Sequence, residues 1–154
     1  MTAPAPLPLA RLLAMAYRDL IDDLHDRLRA AGWHDVRPAY GFVLLAARDR
    51  PTSATALAGL MGVSKQAASK LVDAMAAAGL VARSSGAPDS RQRPVALTDR
   101  GRALLDEVEG IYRDLEDGWA AAIGSDDLER LRATLTAVLR ARHGGELPPV
   151  RPTW

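Results

Sequence analysis

Four polar side chains recur at helical spacing in the middle of the chain: Lys65, Gln66, Ser69 and Lys70. Residues three and four apart lie on one face of a helix, so these side chains would share a surface. Lysine can bind guanine or phosphate, glutamine can bind adenine, and serine can bind either kind of base, as proteins do in the major groove. A solvated face of a helical hairpin has the same composition, so the pattern alone leaves both interpretations open.

The segment around these residues predicts a helix-turn-helix. Ser53 begins one helix that ends at Gly62, and Ser64 begins a second that ends at Gly79. Serine hydroxyls cap helix starts, and glycine adopts the left-handed backbone at helix ends. Ala58 must be small because the two helices cross there. The second helix is therefore the predicted recognition helix, and Ser64 at its start is expected to contact phosphate, which helix N-termini favour.

A β-hairpin is predicted directly after the second helix, within residues 80–97, with a loop rich in Ser, Gly, Pro and Asp. The loop region carries Asp89, Arg91 and Arg93. Arginine is suited to a narrow minor groove because the negative potential there attracts guanidinium. Asp89 can pair with an arginine and hold the loop, and Arg83 is expected to contact phosphate. A plain surface turn is the alternative, but the position after a helix-turn-helix favours a wing.

The charge distribution agrees with a polyanionic partner. The formal net charge is only +1, but residues 48–102 contain nine basic and four acidic residues, a local balance of +5. The rest of the chain contains eleven basic and fifteen acidic residues. A basic middle between acidic ends is expected where one region meets nucleic acid, although a chance fluctuation gives the same count.

Composition excludes several other classes of protein. The 154 residues are 48% hydrophobic and 25% charged, which is typical of a folded domain. The absence of cysteine excludes disulfides, thiol catalysis and thiol redox sensing, and three dispersed histidines do not predict a metal site. No Gly-rich phosphate loop or catalytic dyad is present, so we expect no enzyme and no cofactor. No apolar run predicts a membrane span and no secretory signal is evident, so we expect a cytoplasmic protein.

The recognition helix and wing, SKQAASKLVDAMAAAGLVAR followed by PDSRQRPVALTDRG, resemble those of the MarR family of bacterial transcriptional regulators. The residues that match the wing motif of this family are Asp89, Arg91, Val95, Leu97, Thr98 and Gly101. The resemblance extends over about residues 9–142. Ser90 stands where the family often has a second arginine, Ala67-Ala68 replaces a Thr-Val type pair, and Lys70 stands where arginine is frequent. These departures leave the preferred DNA sequence open.

The resemblance implies a homodimer in which the first, fifth and sixth helices interlock across a two-fold axis. Leucine-rich stripes on three long helices agree with this, although they could also close a monomeric bundle. A dimer would present two recognition helices roughly 34 Å apart to a pseudo-palindromic operator. The fold class is mainly α with a small β-hairpin wing, a winged helix-turn-helix with a helical dimerisation region. The expected parts are an N-terminal arm (1–8), a dimerisation helix (9–36), a DNA-binding lobe (37–98), C-terminal dimerisation helices (99–143) and a tail (144–154).

The resemblance also implies a small effector, often an aromatic or phenolic anion, bound between the dimerisation helices and the DNA-binding lobe. The candidate residues are His25, Trp33, Tyr40 and Tyr112; a tyrosine offers a polar tip on an apolar body. Each also has a plainer explanation, since Tyr112 lies in an apolar stripe, His25 suits a solvated helix face, and Trp33 could close a helix end.

The sequence therefore predicts a regulator that binds double-stranded DNA as a homodimer, acts as a repressor and responds to a small-molecule inducer. The alternative is a winged-helix protein-interaction module that does not bind DNA.

Overall fold

The computed structural model describes residues 6–84 and 93–149, and these residues form six α-helices and a two-stranded antiparallel sheet. In chain order the elements are α1 (Leu9–Ala30), α2 (Tyr40–Ala46), α3 (Ala54–Met61), α4 (Lys65–Ala77), β1 (Val81–Arg83), β2 (Val95–Leu97), α5 (Asp99–Ile123) and α6 (Ser125–Arg142). The chain divides into two compact units, residues 1–36 and 37–154. The predicted fold class, mainly α with a small hairpin, is confirmed.

The first unit consists mainly of the amphipathic helix α1. Its C-terminal half buries Leu24 and Leu28, whereas the large apolar side chains of its first two turns are 41–66% exposed. The helix ends before Gly32, whose φ of 92° lies in the left-handed region that glycine favours. The Trp33 amide then donates to the Leu28 carbonyl oxygen over 2.8 Å and closes the helix end.

The helix-turn-helix of the second unit follows from local capping, as the sequence predicts. The Ser53 hydroxyl accepts the Ala56 amide at 3.1 Å, and the Ser64 hydroxyl accepts the Ala67 amide at the same distance. Gly62 ends α3 with φ 63° and lets the chain turn at once into α4. The two helices pack against each other. The buried side chains that fill the space on their inner faces are Leu57, Ala58, Met61, Ala68, Leu71, Val72 and Met75.

A third segment pairs with the hairpin. Strands β1 and β2 run antiparallel, with Val81 opposite Leu97. Thr52, just before α3, forms an isolated bridge to Val95, with N···O distances of 2.9 and 2.6 Å in the two directions. The hairpin is therefore held on one side by the chain that enters α3 and on the other by α4, against which β1 packs.

The start of α5 is locked onto the end of α4. The Thr98 hydroxyl donates to the Gly79 carbonyl oxygen at 2.6 Å and accepts the Gly101 amide at 3.0 Å, while the Thr98 amide donates to the Leu80 carbonyl oxygen at 3.1 Å. Gly101 is buried so closely against Leu80 that a Cβ there would lie 2.0 Å from that carbonyl oxygen. The Leu97-Thr98 pair and Gly101 of the predicted motif thus form one structural joint.

Helices α5 and α6 complete the second unit and pack together. Helix α5 buries the larger part of its predicted apolar stripe, from Leu104 to Leu115. Helix α6 buries none of its residues, and Leu131, Val138 and Leu139 are 37–53% exposed. The apolar stripe of α6 is therefore only partly covered in the single chain.

Candidate nucleic-acid interface

The four predicted residues of the recognition helix share one surface of α4. Lys65, Gln66 and Lys70 are exposed and Ser69 is half-buried, whereas the opposite face of α4 packs into the core. Gln66, Ser69, Lys70 and Asp73 line a shallow concavity. Neither Lys65 nor Lys70 forms a salt bridge with another residue of the described ranges, so both ammonium groups are available to an anionic partner. The contacts of these residues with DNA stay predictions.

Ser64 and Arg83, the two predicted phosphate contacts, both have structural partners. The Ser64 hydroxyl caps α4. The Arg83 side chain is only 14% exposed, and its Nη2 lies 2.9 Å from Asp73 Oδ1 and 3.3 Å from both the hydroxyl and the carbonyl oxygen of Ser69. Arg83 thereby ties β1 to the recognition helix. A phosphate contact by Arg83 stays a prediction and would have to use other atoms of its guanidinium group.

Sequence analysis missed this contact and the part that Asp73 takes in it. One signal was available, because Ser69 and Asp73 are four residues apart and share a face of α4. The strand that brings Arg83 to that face could not be docked from the sequence alone.

The tip of the predicted wing lies outside the described residues. Asp89 and Arg91 fall there, so their predicted roles stay predictions. Arg93 is the first described residue after the loop and is half-buried. Next to it, the Pro94 carbonyl oxygen accepts the Ser84 amide at 2.9 Å, which closes the base of the hairpin.

Part of the basic central region is neutralised within the fold. Arg48 forms a salt bridge with Glu109 of α5, and Arg102 donates to the Arg48 carbonyl oxygen at 3.5 Å. Part of the positive charge counted in residues 48–102 is therefore paired with a carboxylate of the same chain. Lysines on α4 are better placed than Arg48 to meet a polyanion.

The four candidate effector residues occur in both units. His25 is half-buried on α1, and its Nε2 has no hydrogen-bond partner among the described residues. Burial lowers the pKa of His25, and the nearby Arg29 charge lowers it further. Trp33 and Tyr112 are half-buried, whereas Tyr40 is 3% exposed at the start of α2. His25 and Trp33 belong to the first unit and Tyr40 and Tyr112 to the second, so their grouping in one pocket stays a prediction.

Two further properties concern the described ranges alone. Within residues 6–84 and 93–149, no group of three or more His, Asp or Glu side chains could hold a metal ion. None of the described helices combines the length and the apolar character that crossing a bilayer requires.

Comparison with known proteins agrees with this architecture. Residues 34–92 match the family model described as the MarR family. The matched residues include α2, the helix-turn-helix of α3 and α4, and β1. The resemblance seen in the recognition helix and wing is thus confirmed. MarR-family proteins are transcription regulators rather than enzymes, and the match supports a transcriptional regulator. No curated protein matches this chain.

Solved structures share the fold over nearly their whole length. The reduced form of MarR from E. coli is 24% identical, with a TM-score of 0.71 over 88% of this chain and 98% of that one. The transcriptional regulator BldR from Sulfolobus solfataricus is 27% identical, with a TM-score of 0.61 over 84% and 93%. The MarR family protein Rv2887 of Mycobacterium tuberculosis, solved with salicylic acid, is 23% identical, with a TM-score of 0.63 over 88% and 99%. The resemblance therefore includes the helices that flank the winged-helix domain.

Proposed function

We propose that this protein is a homodimeric, sequence-specific DNA-binding repressor that acts in the cytoplasm on a pseudo-palindromic operator. The observation that carries the proposal is the exposed polar face of α4, on which Lys65, Gln66, Ser69 and Lys70 lie together. These are residue types that bind base edges and phosphates in the major groove. Arg91 and Arg93 of the wing would enter the adjacent minor groove, with Asp89 supporting the loop.

The homodimer is supported by apolar surface that the single chain leaves uncovered. Leu131, Val138 and Leu139 of α6 are exposed, as are Leu9 and Met15 of α1. Large exposed apolar patches mark interaction sites, and a second copy of the chain supplies a matching surface by symmetry. Residues 9–36 and 99–143 would then form the dimerisation region, and residues 37–98 the DNA-binding lobe, with residues 1–8 and 144–154 as arm and tail.

A small aromatic or phenolic acid would act as the inducer. The salicylic acid in the solved Rv2887 structure supports this class of ligand. His25, Trp33, Tyr40 and Tyr112 are the side chains that we propose for its pocket. The neutral imidazole favoured by the lowered pKa of His25 could accept a hydrogen bond from a phenolic hydroxyl.

Selection of duplexes from a random DNA pool tests the proposal directly. The purified protein is incubated with the pool at a stated salt concentration, and a variant with Lys65, Gln66 and Lys70 replaced by alanine serves as control. We expect the protein to enrich a pseudo-palindrome and the control to enrich none, although it folds and dimerises as before.

Failure to enrich any motif has two explanations that one repetition separates. Protein that was unfolded, freed of small molecules and refolded will enrich a motif if a bound inducer had held it in a form that cannot bind DNA. If the refolded protein also enriches no motif, and its weak binding to DNA does not depend on salt, the result favours a protein-interaction module over a repressor.

A further inference from the structure

The contact between Arg83 and α4 has a consequence for the side chain of Ser69. A guanidinium group has only hydrogen-bond donors, so in its 3.3 Å contact with Arg83 Nη2 the Ser69 oxygen must be the acceptor. The single hydroxyl hydrogen of Ser69 therefore points away from Arg83. Ser69 lines the concavity on α4 beside Gln66 and Lys70, which is the surface assigned to the major groove.

Among residues 6–84 and 93–149, no acceptor binds the hydroxyl hydrogen of Ser69. A serine or threonine within a helix often donates to the carbonyl oxygen four residues earlier, as Thr134 does to Arg130 at 2.7 Å. Ser69 makes no such bond within the described residues; its partner there is Arg83. The hydrogen remains available to an acceptor on the outer side of α4.

Asp73 holds the guanidinium group of Arg83 next to the Ser69 hydroxyl, so that the Ser69 oxygen can accept its hydrogen bond. Asp73 lies one helical turn beyond Ser69, and its Oδ1 is 2.9 Å from the same Nη2 that contacts Ser69. The carboxylate is 66% exposed, so without Arg83 it would place an unpaired negative charge on the face that is to meet DNA. One arginine thus orients a hydroxyl and neutralises a carboxylate on the same surface.

We infer that Arg83 is a positioning residue that makes Ser69 a hydrogen-bond donor in the major groove, and that Ser69 helps to determine sequence specificity. The inference rests on the proposed function. A donor at this position selects a base pair that presents an acceptor, which is N7 or O6 of a purine or O4 of thymine, and disfavours the amino groups of adenine and cytosine.

A double-mutant cycle on the selected operator tests the inference. Affinities of the wild type, Ser69→Ala, Arg83→Met and the double variant are measured on the operator and on duplexes in which each base pair is replaced in turn. We expect both single variants to lose roughly five- to tenfold of the discrimination at the same base pair. The double variant should lose no more than Ser69→Ala, because Arg83 acts through Ser69.

Two controls separate orientation from loss of charge or of folding. Arg48→Met removes another arginine of this unit, one that is paired with Glu109 of α5, and it should leave the discrimination unchanged. Operators that carry 7-deazapurine or another analogue lacking the major-groove acceptor test the polarity of Ser69 without any change at Arg83. An analogue at the base pair that Ser69 contacts should weaken binding of the wild-type protein. The same analogue should not weaken binding of the Ser69→Ala variant.

Two results would overturn the inference and leave the proposed function in place. One is a uniform loss of affinity in Arg83→Met on all duplexes, additive with Ser69→Ala and with a salt slope reduced by about one, which identifies a phosphate contact. The other is a wild type that tolerates every analogue lacking an acceptor. A wild type that enriches no operator after removal of small molecules would overturn both the inference and the proposed function.

Discussion

Replacement of Gly101 by alanine tests the joint between α4, the hairpin and α5. A Cβ at this position would lie 2.0 Å from the Leu80 carbonyl oxygen and 3.0 Å from its carbon. Carbon and oxygen atoms that are not bonded approach to about 3.3 Å, so the two segments must separate by roughly 1.3 Å. Leu80 presents backbone here, and its oxygen also accepts the Thr98 amide, so the strain cannot be relieved by a side-chain rotation.

The expected cost follows from three contributions. Forcing an extra carbon into a packed site costs about 1–3 kcal/mol, and weakening the bond between Thr98 and Leu80 costs about 1 kcal/mol more. Alanine regains up to about 1 kcal/mol of helix propensity relative to glycine. The net loss in the free energy of unfolding is about 2 kcal/mol, which for a chain of this size lowers Tm by roughly 4–8 °C.

Thermal unfolding followed by circular dichroism at one fixed protein concentration measures the effect, because the proposed dimer would make Tm depend on concentration. Gly59→Ala is the matched control. Gly59 lies in α3, and a Cβ there would meet no atom within 4 Å, so this variant should keep or slightly raise Tm. A Gly101→Ala protein that unfolds at or above the wild-type temperature would refute the close approach of α5 to Leu80.

Four further predictions concern the wing, the recognition helix, the dimer and pH. Arg91→Ala should weaken binding to all duplexes and reduce the salt slope by about one; an unchanged affinity and slope would contradict the wing assignment. Gln66→Ala should change the base preference in a new selection, whereas an equal loss on every sequence would show that Gln66 only positions the helix. Leu139→Asp should shift the mass in sedimentation from dimer towards monomer, and a mass that stays dimeric would place the interface elsewhere. The pKa of His25 in the folded protein lies below its ordinary 6.5, so the unfolded chain takes up a proton first as the pH falls through 6.5. The free energy of unfolding should therefore decrease as the pH falls through this range. His25→Gln should flatten this pH dependence, and parallel pH profiles of the two proteins would refute the prediction.

The starts of α3, α4 and α5 and the turn between α3 and α4 could be predicted from the residues alone. Ser53, Ser64 and Thr98 cap α3, α4 and α5 with hydroxyls that reach amides three residues ahead. Gly62 ends α3 in the left-handed conformation. Each of these contacts lies within one turn of helix, so residue type and spacing are sufficient to specify it. The outward face of α4 follows in the same way from the helical period.

The contacts between these elements could not be predicted from the sequence. The bridge from Thr52, just before α3, to Val95 depends on how the hairpin docks. Arg83 contacts Ser69 and Asp73 across fourteen and ten residues, because β1 packs on α4. Contacts between segments distant in sequence depend on which surfaces pack together, and no local spacing encodes that. For this reason the polar residues of the recognition helix could be predicted, whereas the orientation of the Ser69 hydroxyl could not.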